Sequence, residues 1–281
     1  MTQRSREDSP SGSGEPKVSA TGQVRFGRSG STNKYSSFTQ PRSCKIQAFP
    51  CSVGAFDMSS HTYSFFRVSK TDDVHASARK YRDLRLRALK AAPGSFASTY
   101  ETEVELSDAD WISLLTLPHR EVFTCAVTSH ESPKRSGSSE WIGQVTLRGP
   151  MSREDFSLPP ESGHLASRPD SEEERWQVLG LFTLPEHRGN GLGATLCEKA
   201  LEYLRHHRPV PRSIQVRLMV KPGNSITVRL YERLGFVRTG QGTLAEALIA
   251  NGDEHLLPRN TSGPGYSDRN SIIMALYMDR P

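Results

Sequence analysis

Long apolar runs are missing from this chain of 281 residues. None approaches the roughly 18 consecutive apolar residues that a membrane span needs. No apolar h-region follows the N-terminus either, so no membrane association is expected. Cysteine is scarce. Cys44, Cys51, Cys125 and Cys197 have no metal-ligand spacing, so no metal site is expected. A reducing, intracellular compartment fits this usage, the cytoplasm first with the nucleus left open. A dense Lys/Arg block with interleaved aromatics is also lacking. The net charge of +5 and pI near 9.1 are mild, and nucleic-acid binding is not indicated. No internal repeat is visible.

What is present is unevenly spread. Residues 1–59 are rich in Ser, Gly, Arg and Thr without sustained periodicity. Such a stretch buries too little apolar surface to offset its ordering entropy, and a disordered tail is expected there. From residue 60 onward, strand and helix patterns alternate. Tyr63–Val68 reads as a strand, and Asp72 or Asp73 is placed to cap a helix running to about Ala92. Ser107 and Asp110 resemble a capping box before a second helix. Glu121–Val127 and Trp141–Leu147 read as strands. Two polar stretches, near 148–175 and 240–270, read as insertions, the second with a helical turn at Leu244–Ala250.

Val178–His206 organises the rest: an apolar strand ending at Pro185, a turn, and an amphipathic helix carrying Leu192, Leu196, Ala200 and Leu204 on one face. Between them stands Arg188-Gly189-Asn190-Gly191-Leu192-Gly193. The first turn of a helix lacks intrahelical partners for its N–H groups, and its dipole favours anions. Glycines let a ligand reach that backbone, and an arginine adds charge-assisted bonds, so the stretch suits a phosphate. The plainer alternative is a tight turn and nothing more. Downstream, Ile214–Val220 alternates as a half-buried strand. Asn224 caps a helix closed by Gly235, Phe236–Thr239 is a short strand, and Ile272–Met278 is the last. This order predicts one α/β domain on a mixed sheet.

With the second motif in hand, the chain resembles the GNAT superfamily of acetyl-CoA-dependent N-acetyltransferases. Arg188 through Gly193, continuing into Ala194, matches that family's pyrophosphate loop, Arg/Gln-x-x-Gly-x-Gly/Ala. Asn224–Thr227, Leu230-Tyr231 and Gly235-Phe236 match its Asn-x-x-Ala-x-x-Leu-Tyr-x-x-x-Gly-Phe pattern, with Thr227 where Ala is usual. The resemblance implies a GNAT-like fold over residues 60–281, with about seven strands in a mixed sheet and about four flanking helices. It implies acetyl-CoA as cosubstrate, its pyrophosphate on the Arg188–Ala194 loop and its pantetheine arm along Leu181, Phe182 and Thr183. Asn224 would cap its helix and touch the cofactor or a water. Tyr231 would give a proton to the departing thiolate. The acceptor would be a small-molecule or peptide amine, attacking directly in a ternary complex; oligomeric state stays open, a homodimer included.

One departure stands out. An amine with a pKa near ~10 must lose a proton before attack, and several family members put a carboxylate on the central strand for this. Here Val178-Leu179-Gly180-Leu181 carries none. Glu173, Glu174, Glu186, His187, an acid of the Ser95–Glu103 loop and a water chain are the alternatives. The gap also keeps a non-catalytic acyl-CoA sensor in view. A third reading, a dinucleotide site on Gly189-x-Gly191-x-x-Ala194, is weakened by Lys221 at the next strand's end, where an acid is required.

Overall fold

The structure is a computed structural model that describes residues 56–58, 61–96, 98–129 and 139–281, within a unit spanning Cys51–Pro281. The expectation of a disordered tail over residues 1–59 lies outside the described residues, save for three that join the sheet as β1. Eight strands form one sheet: β1 (Phe56–Met58), β2 (His61–Arg67), β3 (Arg120–Ser129), β4 (Glu140–Met151), β5 (Glu173–Thr183), β6 (Ser213–Val220), β7 (Val237–Gly242) and β8 (Ser271–Asp279). Their spatial order is β1-β2-β3-β4-β5-β6-β8-β7. Among the described residues, β5 and β6 run parallel and the other neighbours antiparallel. The seven expected strands are there, and β1 adds an eighth.

The larger helices are α1 (Val74–Ala91), α3 (Asp108–Thr116), α5 (Leu192–His206), α6 (Ser225–Arg233) and α7 (Leu244–Asn251). Short pieces α2 (Tyr100–Val104), α4 (Arg153–Phe156) and α8 (Pro264–Ser267) fill stretches that carry no readable period. The Ser107/Asp110 capping box at α3 is present on both sides. At α1, by contrast, Asp73 takes the N-cap position in the left-handed region and makes no side-chain cap bond. Asp72 accepts from Ser69 Oγ instead, at 2.9 Å.

Neighbouring residues of β4 show how the layers stack. A Cβ on Gly143 would meet Leu196 of α5, while Gln144 faces Tyr81 and Arg85 of α1 across a cleft. Successive strand residues point to opposite faces, so α5 and α1 cover opposite sides of the sheet. Leu196, Ala200 and Leu204 of α5, with Val145 and Leu147 of β4, form part of one continuous buried core.

Two polar features lie inside. The Glu174 carboxylate at the start of β5 is fully enclosed. Arg280 Nη2 stands 2.8 Å away and His207 Nε2 3.1 Å away, and Arg208 and the Trp176 indole N–H both donate to it. On the opposite face, residues from the 152–172 stretch pack over β6. Arg217 is buried there, donating to Gln177 Oε1 at 2.8 Å and to the Phe156 carbonyl at 2.5 Å. Its second Nη has no partner among the described residues. Burial, and then the like charge of Arg148, bring this guanidinium down to about 9.

Candidate active site

β5 and β6 begin as partners and then separate. Their parallel ladder covers Glu173–Gln177 against Ser213–Arg217. Beyond it, Val178–Thr183 stays with β4 and Leu218–Val220 stays with β8. Gly180 sits where they part, with φ +65°. Leu179 opposes Thr146 and Phe182 opposes Gln144, so β5 has one residue too many for β4 at this point. Such a bulge bends its strand, and glycine takes the left-handed φ without a Cβ penalty. The inner edge of β5 is thereby left unpaired along a cleft of about 1180 Å³.

At one mouth of this cleft is the start of α5. Gly191 is its N-cap residue at φ +73°, and no side chain caps it. The first intrahelical bond runs from Thr195 N to Gly191 O at 3.1 Å, which leaves the N–H groups of Leu192, Gly193 and Ala194 free of helix partners. A Cβ on Gly189 or Gly191 would meet nothing within 4 Å, so a ligand has room to approach. Arg188 is exposed; its Nε donates to the Thr183 carbonyl at 3.0 Å and its guanidinium lies 5.3 Å from the Phe182 ring centre. Among the described residues neither Nη group has a hydrogen-bond partner, which leaves both for a ligand. Leu181, Phe182, Thr183, Arg188, Gly189 and Gly191 through Ala194 all line the cleft. Asn190, expected among them, does not: its amide turns back to the His187 carbonyl at 3.3 Å.

α6 supplies the opposite wall. Asn224 Oδ1 accepts from Thr227 N at 3.2 Å, so its helix-capping role is present, and its amide nitrogen, beside the cleft, has no partner among the described residues. Tyr231 is buried edge-on against Phe236 with ring centres 5.4 Å apart, and it lines the cleft. Its phenol has no protein hydrogen-bond partner among the described residues. Burial, with Cys197 adding, raises it well above 10; the phenol keeps its proton at neutral pH.

Most of the acids considered from sequence lie elsewhere. Glu174 is consumed by its cluster under α5. Glu173 pairs with Arg175 at 3.5 Å, and Glu186 pairs with Arg87 at 2.8 Å; none of the three lines the cleft. His187 does, but its Nδ1 faces Tyr63 Oη at 3.3 Å. Burial lowers His187, with His61 and Arg87 adding and Glu186 opposing. Two carboxylates occupy the far end of the cleft: Glu103, in the loop singled out from sequence, and Asp253, just past α7, which sequence reasoning missed. Burial pushes the thiols of Cys125 and Cys197 up to about 12 each, so neither is a thiolate at neutral pH. The expectation for Cys44 and Cys51 lies outside the described residues. The glycine loop follows a strand with a single parallel neighbour, unlike the parallel run that carries a dinucleotide fingerprint. No helix among the described residues is long and apolar enough to cross a membrane.

Comparison with known proteins bears on this site directly. The family model described as "Acetyltransferase (GNAT) family" matches residues 160–236, which hold β5, the glycine loop, α5, β6 and α6. A mycothiol acetyltransferase from Salinispora arenicola (strain CNS-205) is 46% identical over 61 residues, a match covering 22% of this chain and 18% of that protein. The match thus spans less than a fifth of that relative. Among solved structures, Arabidopsis thaliana NAA60 in complex with a bisubstrate analogue aligns over 77% of this chain and 98% of its own, at 16% identity and a TM-score of 0.45. Spermidine N-acetyltransferase from Vibrio cholerae, in complex with CoA and spermine, aligns over 78% and 95%, at 15% identity and a TM-score of 0.42. The matched stretch, residues 160–236, takes in the glycine loop and the Asn224–Phe236 segment, and over it the chain is similar to the GNAT family of acetyltransferases.

Proposed function

We propose that this chain transfers the acetyl group of acetyl-CoA to an amine by direct attack within a ternary complex. The observation that carries this is the gap between β5 and β6, with a bare helix N-terminus at its mouth and the Tyr231 phenol on its wall. Coenzyme A is a long polyanion. Its pyrophosphate suits the free N–H groups of Leu192–Ala194 and the Nη groups of Arg188. Its amide-bearing arm suits the unpaired edge at Leu181–Thr183, where it would act as an added strand. The thioester would then lie near Tyr231. A leaving thiol has a pKa of about 8.5, below that of this phenol, so complete proton donation is uphill. A hydrogen bond that strengthens as charge grows on sulfur is the main service Tyr231 can give, the proton following. High thiol pKa values at Cys125 and Cys197 support direct attack over an acyl-enzyme.

The decisive test is CoA release from acetyl-CoA with a panel of polyamines, amino sugars, free lysine and peptide N-termini, with mass spectrometry of the product. Tight acetyl-CoA binding without CoA release from any of them would instead make the chain an acyl-CoA sensor.

Two further results are expected. Arg188→Ala should weaken CoA and dephospho-CoA alike, by about 1.5–3 kcal/mol in calorimetric titration, because both share the pyrophosphate. The fold should hardly notice, since this arginine is exposed. Unchanged affinity would remove the phosphate from this loop. We also place the transferase unit within residues 60–281. Removing residues 1–50 should accordingly leave kcat/KM within about threefold of the full chain, the composition of that stretch giving it little to pack with. A tenfold loss would make it part of the working enzyme.

A further inference from the structure

The far end of the cleft is walled by the polar stretch between β7 and β8. α7 ends in a Gly252 turn at φ +78°, where Gly252 N donates to Ile249 O at 2.9 Å and Asp253 N to Leu248 O at 2.8 Å. Two arginines from the sheet grip the same end. Arg148 Nη1 donates to Ala250 O and Arg120 Nη2 to Asn251 O, each at 2.9 Å. Asp253, two residues past Asn251, is thereby held against the cleft with a quarter of its side chain exposed.

The two carboxylates there are differently engaged. Glu103 accepts three N–H bonds from Arg85, at 2.6, 2.9 and 3.1 Å, and that guanidinium is stacked 4.5 Å from the Phe96 ring centre. Both Glu103 oxygens are engaged, and that guanidinium matches their charge. Among the described residues Asp253 has Arg120, at 3.5 Å, as its one ion-pair partner, so it retains oxygens for a ligand.

Resting on the transferase reading above, we infer that Asp253 binds the acceptor ammonium and takes its first proton. The ammonium gives one proton to the Asp253 carboxylate, directly or through one water, and that proton then leaves to solvent. The freed nitrogen lone pair attacks the acetyl carbonyl carbon; the C–N bond forms, the C–S bond breaks, and the electron pair departs on sulfur. The second nitrogen proton neutralises the thiolate by way of the Tyr231 hydroxyl, which is reprotonated in turn. Burial acts in opposite directions on the two partners, raising a carboxylate and lowering an ammonium, so it narrows the gap between them.

The neighbours set the pH behaviour. Facing Asp253 are Tyr81 and Arg85 of α1, Glu103 of α2, Arg120 of β3 and His255 of the following turn. Burial raises the Asp253 carboxyl above the usual 3.8, while Arg120, His255 and Arg85 pull it back without overcoming that. The carboxylate is the form that accepts a proton and the ammonium the form that gives it, so kcat/KM should rise with pH through an acid limb and then level off. Without the group the rise should continue toward the amine's own pKa of about 10.

The experiment compares a strongly basic alkylamine with a weakly basic arylamine, following CoA release by the full chain. Asp253→Asn should lower kcat/KM at least about 100-fold for the alkylamine. For the arylamine, already neutral at pH 7, the loss should stay under about threefold. The calorimetric Kd for acetyl-CoA and the thermal midpoint should hold. Asp253→Glu, which keeps the carboxylate, should preserve the acid limb; it is also the measurement that stands if the Asn variant folds poorly. Equal losses on both amines, or a plateau surviving below the alkylamine's pKa in Asp253→Asn, would reduce Asp253 to a partner of Arg120 and overturn the inference while the transferase reading stands. No CoA release by the wild type with either amine would overturn both.

Discussion

Tyr231→Phe should lower kcat about 10²–10⁴-fold, the span a positioned proton donor commonly contributes. The affinity for acetyl-CoA should be nearly unchanged. The variant removes one oxygen and keeps the ring, whose edge-on packing against Phe236 holds it in place. Because the phenol makes no hydrogen bond to protein among the described residues, its loss strands no buried partner and should cost the fold less than about 1 kcal/mol. Stability and rate therefore separate cleanly in this variant. The proton arithmetic sharpens the expectation. A phenol held well above 10 opposite a thiol near ~8.5 stabilises charge as it develops and does not hand over its proton early. The defect should thus grow as the leaving thiol becomes more basic. Steady-state rates with acetyl-CoA and with a more acidic aryl thioacetate give the comparison. A loss below about threefold with acetyl-CoA would make Tyr231 a packing residue only.

The largest effect on stability is expected at Glu174→Gln. This carboxylate has no exposed surface and gathers Arg208, Arg280, His207 and the Trp176 indole. It thereby fastens the end of α5 and the last residues of the chain to the start of β5. Gln keeps one acceptor oxygen but no charge, leaving Arg280, itself buried, without a counter-ion. Removing one partner of a buried ionic cluster typically costs about 3–5 kcal/mol, which in a domain of this size lowers the thermal midpoint by at least about 6 °C. The effect has a definite pH signature. Burial alone would raise Glu174, but hydrogen bonds from His207 and Trp176 and the charges of His207 and Arg280 bring it below 4.5. A carboxyl depressed in the fold contributes stability that is complete above its unfolded value and is lost as pH falls through the folded one. The difference in midpoint between wild type and variant should be full near neutrality and shrink below about pH 4.5. A difference independent of pH would point to packing and not to charge.

Much of the donor half of the site was legible in the sequence, because it is built from local signals. The three glycines after Arg188 mark the bare start of α5, and Asn224 three residues before Thr227 marks the cap of α6. Each of these needs only its own neighbours to take shape. Tyr231 was reached through the family pattern, and the structure puts it on the cleft wall. Asn190 fell outside because its short amide prefers the carbonyl of His187, a choice that loop geometry decides. At α1, Asp73 sits in a left-handed turn and makes no side-chain cap bond. The bend at Gly180 was invisible because it depends on how β5 registers against β4. Asp253 was invisible for a like reason. It lies in an aperiodic polar stretch, and arginines more than a hundred residues earlier in the chain, on β3 and β4, hold the helix end that positions it.

That grip has a consequence for how such a chain can be altered. Arg120 and Arg148 hold α7 by the carbonyl oxygens of Asn251 and Ala250, groups that nearly every residue provides. This part of the anchorage is therefore indifferent to which side chains the helix carries, although Gln177 Nε2 also donates to Asn251 Oδ1 at 3.3 Å and Leu248 and Ala250 are buried. β7 and β8 are antiparallel neighbours, so the loop between them can be exchanged without disturbing the strand order or the β5/β6 gap. The segment 243–270 is in effect a cassette: a graft that ends a helix at the same place would dock on the same two arginines and present a new acceptor wall to an unchanged donor site.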